Sequence, residues 1–538
     1  MKKIDNLFLI GGVVVIAGLS GLLWPGVRNA NMAIPQAEFE TTKYGAFLAA
    51  QHAVFINDFD TASKYTAQLE DVDYAVVQNT KLIAGFLSGR MPSDAGILKN
   101  EKKMPEHLIY DAYLIKQNNW KELHNRHKND SSALGAPLRI WPAIANDWQT
   151  NTLKFIDGLS TNDSWKAFVR GQVYAELGKI DKAAEEFAKV TPDFMNINDY
   201  LYIMSFYQHN GMTQDMDILR ADFTARPGGM FMLDYPEIPD WSEYSGYTNA
   251  LAFSIVQNIS HTQIMMYSDL AVLLLRFVEI IAPDFAKNTQ SVNYYLGQYF
   301  YTNTGDYKSH FDKIDVTSPY HPFATMRMAE GAGDVRALEK TVREHPLFVP
   351  AVNKLIGYYI KVGDKRAALR VVGRALDNEN IDGMGRAFFI KSRAQIHFVF
   401  GDIDAAQSDI HVASSVLGMD AEILSLQAKI WAEQDREIEN AYNYAMSLVK
   451  QNPADVLAWD TVGMVVWKRE GIDAALEIFE RVGSASRNCS SLFVHLGDIY
   501  AAKGDKEHAR DAYMRAIDLS DDGLTVVPEI ERKIRKLK

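Results

Sequence analysis

His124 and His127 stand three residues apart, so on a helix they share one face and could together hold a metal ion. Their neighbours Asn125, Arg126 and Lys128 make a solvated polar surface rather than a ligand shell, and both histidines are read as surface residues. His310 and His321 flank a turn, with no carboxylate joined to them by spacing. Gly331, Gly333 and Asp334 imitate a phosphate-binding loop, but no strand precedes them, and a tight turn between helices accounts for them. No phosphate loop, HExxH pair, nucleophile elbow or dinucleotide fingerprint occurs in the sequence. Cys489 is the single cysteine, which excludes an intrachain disulfide, a CxxC redox pair and a thiolate zinc cage, and it is read as a small buried hydrophobe. The chain is therefore expected to be non-enzymatic, with no catalytic, cofactor-binding or metal-binding residues.

The elements that position these residues are helices. Apolar runs of helical period recur along the chain, as in Leu201 to Phe206 and in Leu270 to Ile281, the latter ended by Pro283. No run of period-two strands stands out. One interruption, Arg226 to Ser245, collects Pro227, Gly228, Gly229, Pro236, Pro239 and Trp241 and reads as a long ordered loop or a boundary between two stacks. The 538 residues are 47% apolar, 11% aromatic and 23% charged, ample for a buried core. A net charge of −12 argues against a general nucleic-acid binder, which needs clustered Lys and Arg to neutralise phosphates.

The first residues are expected to meet a membrane. Lys2 and Lys3 precede an uncharged stretch from Leu7 to Leu23, and 22 uncharged residues separate Asp5 from Arg28, about one bilayer span. An uncleaved anchor and a signal peptide cut after Ala33, with Asn31 at the −3 position, both remain open. In either case the lysines stay inside and everything after Arg28 is exported. The expected place is the cell envelope: the inner membrane with a periplasmic repeat domain, or the periplasm if the segment is removed.

Internal repeats are clearest near the C-terminus. Trp459, Gly463, Ala475 and Phe479 recur as Phe493, Gly497, Ala509 and Tyr513 at one offset of 34 residues. A bulky and a small residue four apart lie on one face of a first helix and let a second helix approach closely. That second helix starts after Gly504 and Asp505, with Ala509, Tyr513 and Ala516 forming one apolar stripe. Phe493, Leu496, Gly497, Tyr500, Ala509, Tyr513 and Ala516 resemble the tetratricopeptide repeat, with Asp521 in place of its terminal proline. Weaker copies follow Leu355, Tyr359, Gly363, Ala368 and Ala375, and Gly401, Asp402, Ala406 and Ala413 repeat Gly363, Asp364, Ala368 and Ala375 at an offset of 38. Gly171, Tyr174, Gly178, Ala183 and Phe187 give a good copy in the first half. The layout also looks like that of long exported tetratricopeptide proteins of alphaproteobacterial envelopes, on Phe47 to Leu69, Pro137 to Trp148, Gly297 with Ser318 and Pro319, and Trp459 to Ile517.

This resemblance implies an all-α fold, an α-solenoid of helical hairpins. The expected order is an anchor or signal peptide over 1–33, degenerate helical repeats over 40–225, the Pro- and aromatic-rich loop over 226–245 and irregular helical hairpins over 246–345. Tetratricopeptide-like repeats follow over 346–520, and then a basic capping helix over 524–538. Such arrays bind partners on their concave face, and the repeat frame assigns Asp460, Met464, Trp467, Lys468, Val494 and Asp498 to it as candidate protein-binding residues. The Lys and Asn that clamp chaperone C-terminal carboxylates are absent from the matching positions, which hold Asp460 with Met464 and Val494 with Asp498. Trp467 could anchor a partner or pack against the adjacent repeat. The function expected is an exported or membrane-tethered scaffold for protein partners; the alternative is a periplasmic chaperone or quality-control adaptor that accepts extended polypeptide. An enzyme within 190–330 has only the Pro-rich loop in its favour.

Overall fold

A computed structural model describes residues 42–537, apart from the short stretches 56–57, 70, 93–94, 103, 131–134, 262–268, 304–305 and 486–488. Its described residues are helices, turns and loops without a strand, as the repeat pattern implies. None of these helices is long and apolar enough to cross a membrane, and the 7–23 segment lies outside the described residues.

The helices pair because of what faces what at one spacing. A Cβ placed on Gly497 would lie 2.5 Å from the Tyr513 ring, and Cβ atoms on Gly463 and Gly171 would overlap Phe479 and Phe187 in the same way. In each hairpin the absent side chain is filled by an aromatic ring from the second helix, so the two helices cross at contact distance. Aspartates start the second helices: Asp364 accepts from the Ala367 amide and Asp505 from the His508 amide, satisfying N–H groups that the first turn leaves free.

One continuous core runs from Phe59 through Ile396, so the first helices and the start of the C-terminal repeats are packed together. The 226–245 stretch is part of it. It carries two short 3₁₀ turns, Met230–Asp234 and Trp241–Glu243, and places Phe231 against Phe323 and Phe348, and Trp241 against Tyr202 and Phe206. Met230 also reaches Gly385 at the start of a later hairpin, where a Cβ would meet its sulfur.

From residue 349 the chain builds five hairpins and a final helix, numbered here from the first. They are α1 (Val349–Val362) with α2 (Lys365–Leu376), α3 (Gly383–Val399) with α4 (Ile403–Leu417), and α5 (Ala421–Glu433) with α6 (Ile438–Gln451). Next come α7 (Val456–Glu470) with α8 (Ile472–Ala485), α9 (Ser490–Ala502) with α10 (Lys506–Asp518), and α11 (Val527–Lys536). The last element returns to the first. Gly523 lies so close to Gly357 of α1 that a Cβ on it would stand 2.8 Å from the Gly357 Cα. Lys361 of α1 pairs with Asp521 at 2.5 Å, and Val526 enters the main core beside α1. A basic capping helix was expected over 524–538, and the helix found there is Val527–Lys536. It does cover Ala509 and Tyr513 with Ile530, and the segment before it also closes the five hairpins into a ring.

Candidate binding site: the lumen of the C-terminal ring

The odd-numbered helices face inward and surround a cavity of about 1070 Å³. Its wall is mixed. Ile356, Phe388, Leu426, Leu457, Met464 and Val494 give apolar surface, and polar groups sit between them. Asn353, Lys391 and Lys429 follow one another at 38-residue spacing on α1, α3 and α5, and His495 and Lys533 are related in the same way on α9 and α11.

Each cation is tied to a neighbouring inner helix. Lys391 reaches Asp420 at 3.0 Å and Glu422 at 2.6 Å at the start of α5, and Lys533 reaches both oxygens of Asp498 on α9 at 2.7 and 2.6 Å. Asp460 of α7 is fully buried and takes three donors: Lys429 Nζ at 3.0 Å from α5, and His495 Nδ1 at 2.6 Å and Ser491 Oγ at 3.0 Å from α9. Burial alone would raise its carboxyl, but the charges of His495 and Lys429 overcome this and hold it well below the usual carboxylate range. These stitches join repeat to repeat across the inner face. The charged groups on the wall are five carboxylates, Glu422, Glu433, Asp455, Asp522 and Glu529, against Lys391, Lys429, Lys533 and His495.

The six residues assigned from the repeat frame separate by place. Met464 and Val494 line the lumen. Asp460 lies behind the wall with its oxygens engaged, and Asp498 accepts from Lys533 and from the Tyr513 hydroxyl at 2.6 Å. Trp467 packs into the cluster of Phe479, Leu492 and Leu496, and Lys468 sits at an exposed rim 3.7 Å from Asp435. Lys391, Lys429, His495 and Lys533 were not singled out from the sequence. A signal existed, since Asn353 and Lys391 each stand ten residues before a turn glycine, Gly363 and Gly401.

The histidines need one correction. His127 is not a surface residue: it is buried, and its Nε2 lies 2.8 Å from Asp111 Oδ2. The reason is Asp111 on the preceding helix, fully buried and out of sight of local spacing. His107, Asp111 and His127 present ligand atoms within 4.8 Å of one another, close enough to be tested as a cation site. Arg126 argues against that use. Its guanidinium donates to Asp111 Oδ1 at 2.7 Å and lies 2.6 Å from His107 Nδ1. The positive charge beside Asp111 is therefore already supplied. His124 is half-buried, edge-on to Trp148 at 4.4 Å. His310 is buried against Phe300, and burial with Arg276 and Lys313 pushes it down to about 3. Gly333 and Asp334 form the expected turn, with Asp334 capping the helix that follows.

Residues 490–522, which span α9 and α10, match the tetratricopeptide repeat family. Among curated proteins no relative matches the chain. A tetratricopeptide repeat protein from Parabacteroides merdae is similar at 13% identity and a TM-score of 0.33, over 46% of this chain and 98% of that one. The Cut9–Hcn1 hetero-tetramer of APC/C is similar at the same identity and TM-score, over 91% of this chain and 96% of that one. Likenesses this distant say nothing of what the chain binds.

Proposed function

We propose, from the tetratricopeptide repeat at 490–522 and the lumen beside it, that the chain is a non-catalytic scaffold whose C-terminal ring holds an extended polypeptide segment of a protein partner. The observation that carries this reading is the wall itself. Apolar side chains alternate with polar ones along the inner helices, so a strand, with side chains alternating from face to face, meets both kinds of surface. The excess of carboxylates on the wall favours a segment bearing Lys or Arg. The apolar stretch at 7–23 after Lys2 and Lys3 supports a place in the bacterial cell envelope, with the repeats on the exported side.

Photo-crosslinking in the native host tests the first part. A crosslinker at Leu457, exposed on the lumen wall, is expected to give one or a few discrete adducts, whereas one at Val412, equally exposed on α4 and away from the lumen, gives none. Equal yields at both positions would reject the lumen as the site. A heterogeneous ladder at Leu457 alone would favour the second reading, a chaperone or quality-control adaptor, which the same mixed wall also supports. For the envelope, a reporter phosphatase fused after residue 40 is expected to be active; an inactive phosphatase beside an active cytoplasmic reporter at the same position would overturn it.

A further inference from the structure

The contact that closes the ring differs in kind from the contacts that build it. The inner helices α5, α7 and α9 are joined by a buried stitch, Asp460 with Lys429 and His495. Across the closing seam the polar contact is Lys361 with Asp521, and Asp521 is 86% exposed. The rest is the backbone approach of Gly523 to Gly357, and Val526 and Pro528 resting on Gly363 at the end of α1. An exposed pair of this sort adds little, and the apolar part of the seam is small: Val526 buried beside α1, and the end of α1 against the start of α11.

The far side of the seam is one rigid piece. Asp522 accepts from the Ser490 amide and hydroxyl, both at 2.7 Å, while Lys533 and Ile530 fix α11 to α9 and α10. In a solenoid each unit touches mainly its neighbours, so small rotations at successive joints add along the array.

We propose that this seam is a clasp: it parts as the hairpins between α1 and α9 flex, and it admits an internal stretch of extended polypeptide sideways into the lumen rather than only a free end. The identity of the guest rests on the function proposed above. The clasp itself is read without any guest. Val526 is 6% exposed and lies under the seam, whereas Cys489, the one native thiol, is 2% exposed at the base of α9, inside the rigid piece. Cys489 is the internal control, and because burial pushes its thiol up to about 11 the two rates are compared after each is corrected, from its pH dependence, for the fraction present as thiolate.

The full chain carrying Val526→Cys is treated with a colorimetric disulfide reagent under native conditions. The thiol at 526 is expected to react at least tenfold faster than Cys489. Gly357→Leu, a wedge against Gly523, should raise the rate at 526 a further fivefold or more without changing Cys489. Equal rates at the two thiols in both backgrounds would mean that the seam parts only when the ring unfolds, and the proposal falls. Should Gly357→Leu disturb the fold, with Cys489 accelerated as well, the comparison is made in Gly357→Ala. There the added methyl meets the Gly523 Cα at 3.3 Å and the helix is favoured. A fast thiol at 526 with no adducts at Leu457 would leave the clasp standing and remove the guest; slow, equal thiols with discrete adducts would do the reverse.

Discussion

Two carboxylates respond to pH in opposite directions, and each reports on a different part of the chain. Asp460 is held below its ordinary value of 3.8, so its contribution to stability is fully present above that value and is lost as the pH falls toward its folded value. Glu176 behaves the other way. Burial, opposed by the Gly246 amide that it accepts at 2.9 Å, raises it from 4.5 to about 7. Its stabilisation is therefore greatest below 4.5 and is lost as the pH rises to about 7, a change of up to about 3 kcal/mol. Glu176→Gln, which can keep the Gly246 bond, is expected to flatten that upper slope in denaturant melts at pH 5 and pH 8. Asp460→Ala leaves Lys429 and His495 without their anion and is expected to cost about 3–5 kcal/mol; a loss under 1 kcal/mol would show that the stitch is not structural. Neither group was legible as structural in the sequence. The repeat frame placed Asp460 on the concave side, and only the arrival of Lys429 and His495 from adjacent repeats turns that position inward.

At the scale of the hairpin the sequence was most informative. The small residue on the first helix and the ring on the second meet as spacing implies, because both helices run straight between their caps and a fixed offset fixes a contact. Gly497→Leu would drive a side chain into Tyr513 and is expected to destabilise α9 and α10 by about 1–3 kcal/mol. Hydrogen exchange should rise first over 490–537 and leave the helices before residue 300 protected. Uniform loss of protection along the chain would contradict the modular packing. His127 shows where this legibility stops. Its partner Asp111 sits on the preceding helix, and helical period alone does not say which face of a short polar helix turns inward.

Across the whole molecule the sequence suggested a border near residue 346, where the repeats become regular. The core does not divide there: Phe348, Val352 and Leu355 belong to the same cluster as Phe231 and Tyr320. A fragment of residues 346–538 is therefore expected to be less stable than the same region in the full chain. It should expose the face of Phe348 that packs on Phe231 and Phe323 and bind a hydrophobic dye that the full chain does not. A fragment melting at the full-chain temperature without dye binding would place the border where the repeat pattern does. The ring was not legible for a related reason, because closure depends on curvature summed over five hairpins, while each hairpin by itself specifies only its own crossing.

The Lys361–Asp521 contact joins residues 160 apart, and this separation bears on how the protein is made. Each hairpin can form from neighbouring sequence as the chain emerges, but the closing contact must wait for nearly the last residues to arrive. Until then the groove is an open gutter with its final wall missing. If the lumen takes a strand as proposed, one lying in it at that stage would be enclosed as α11 settles.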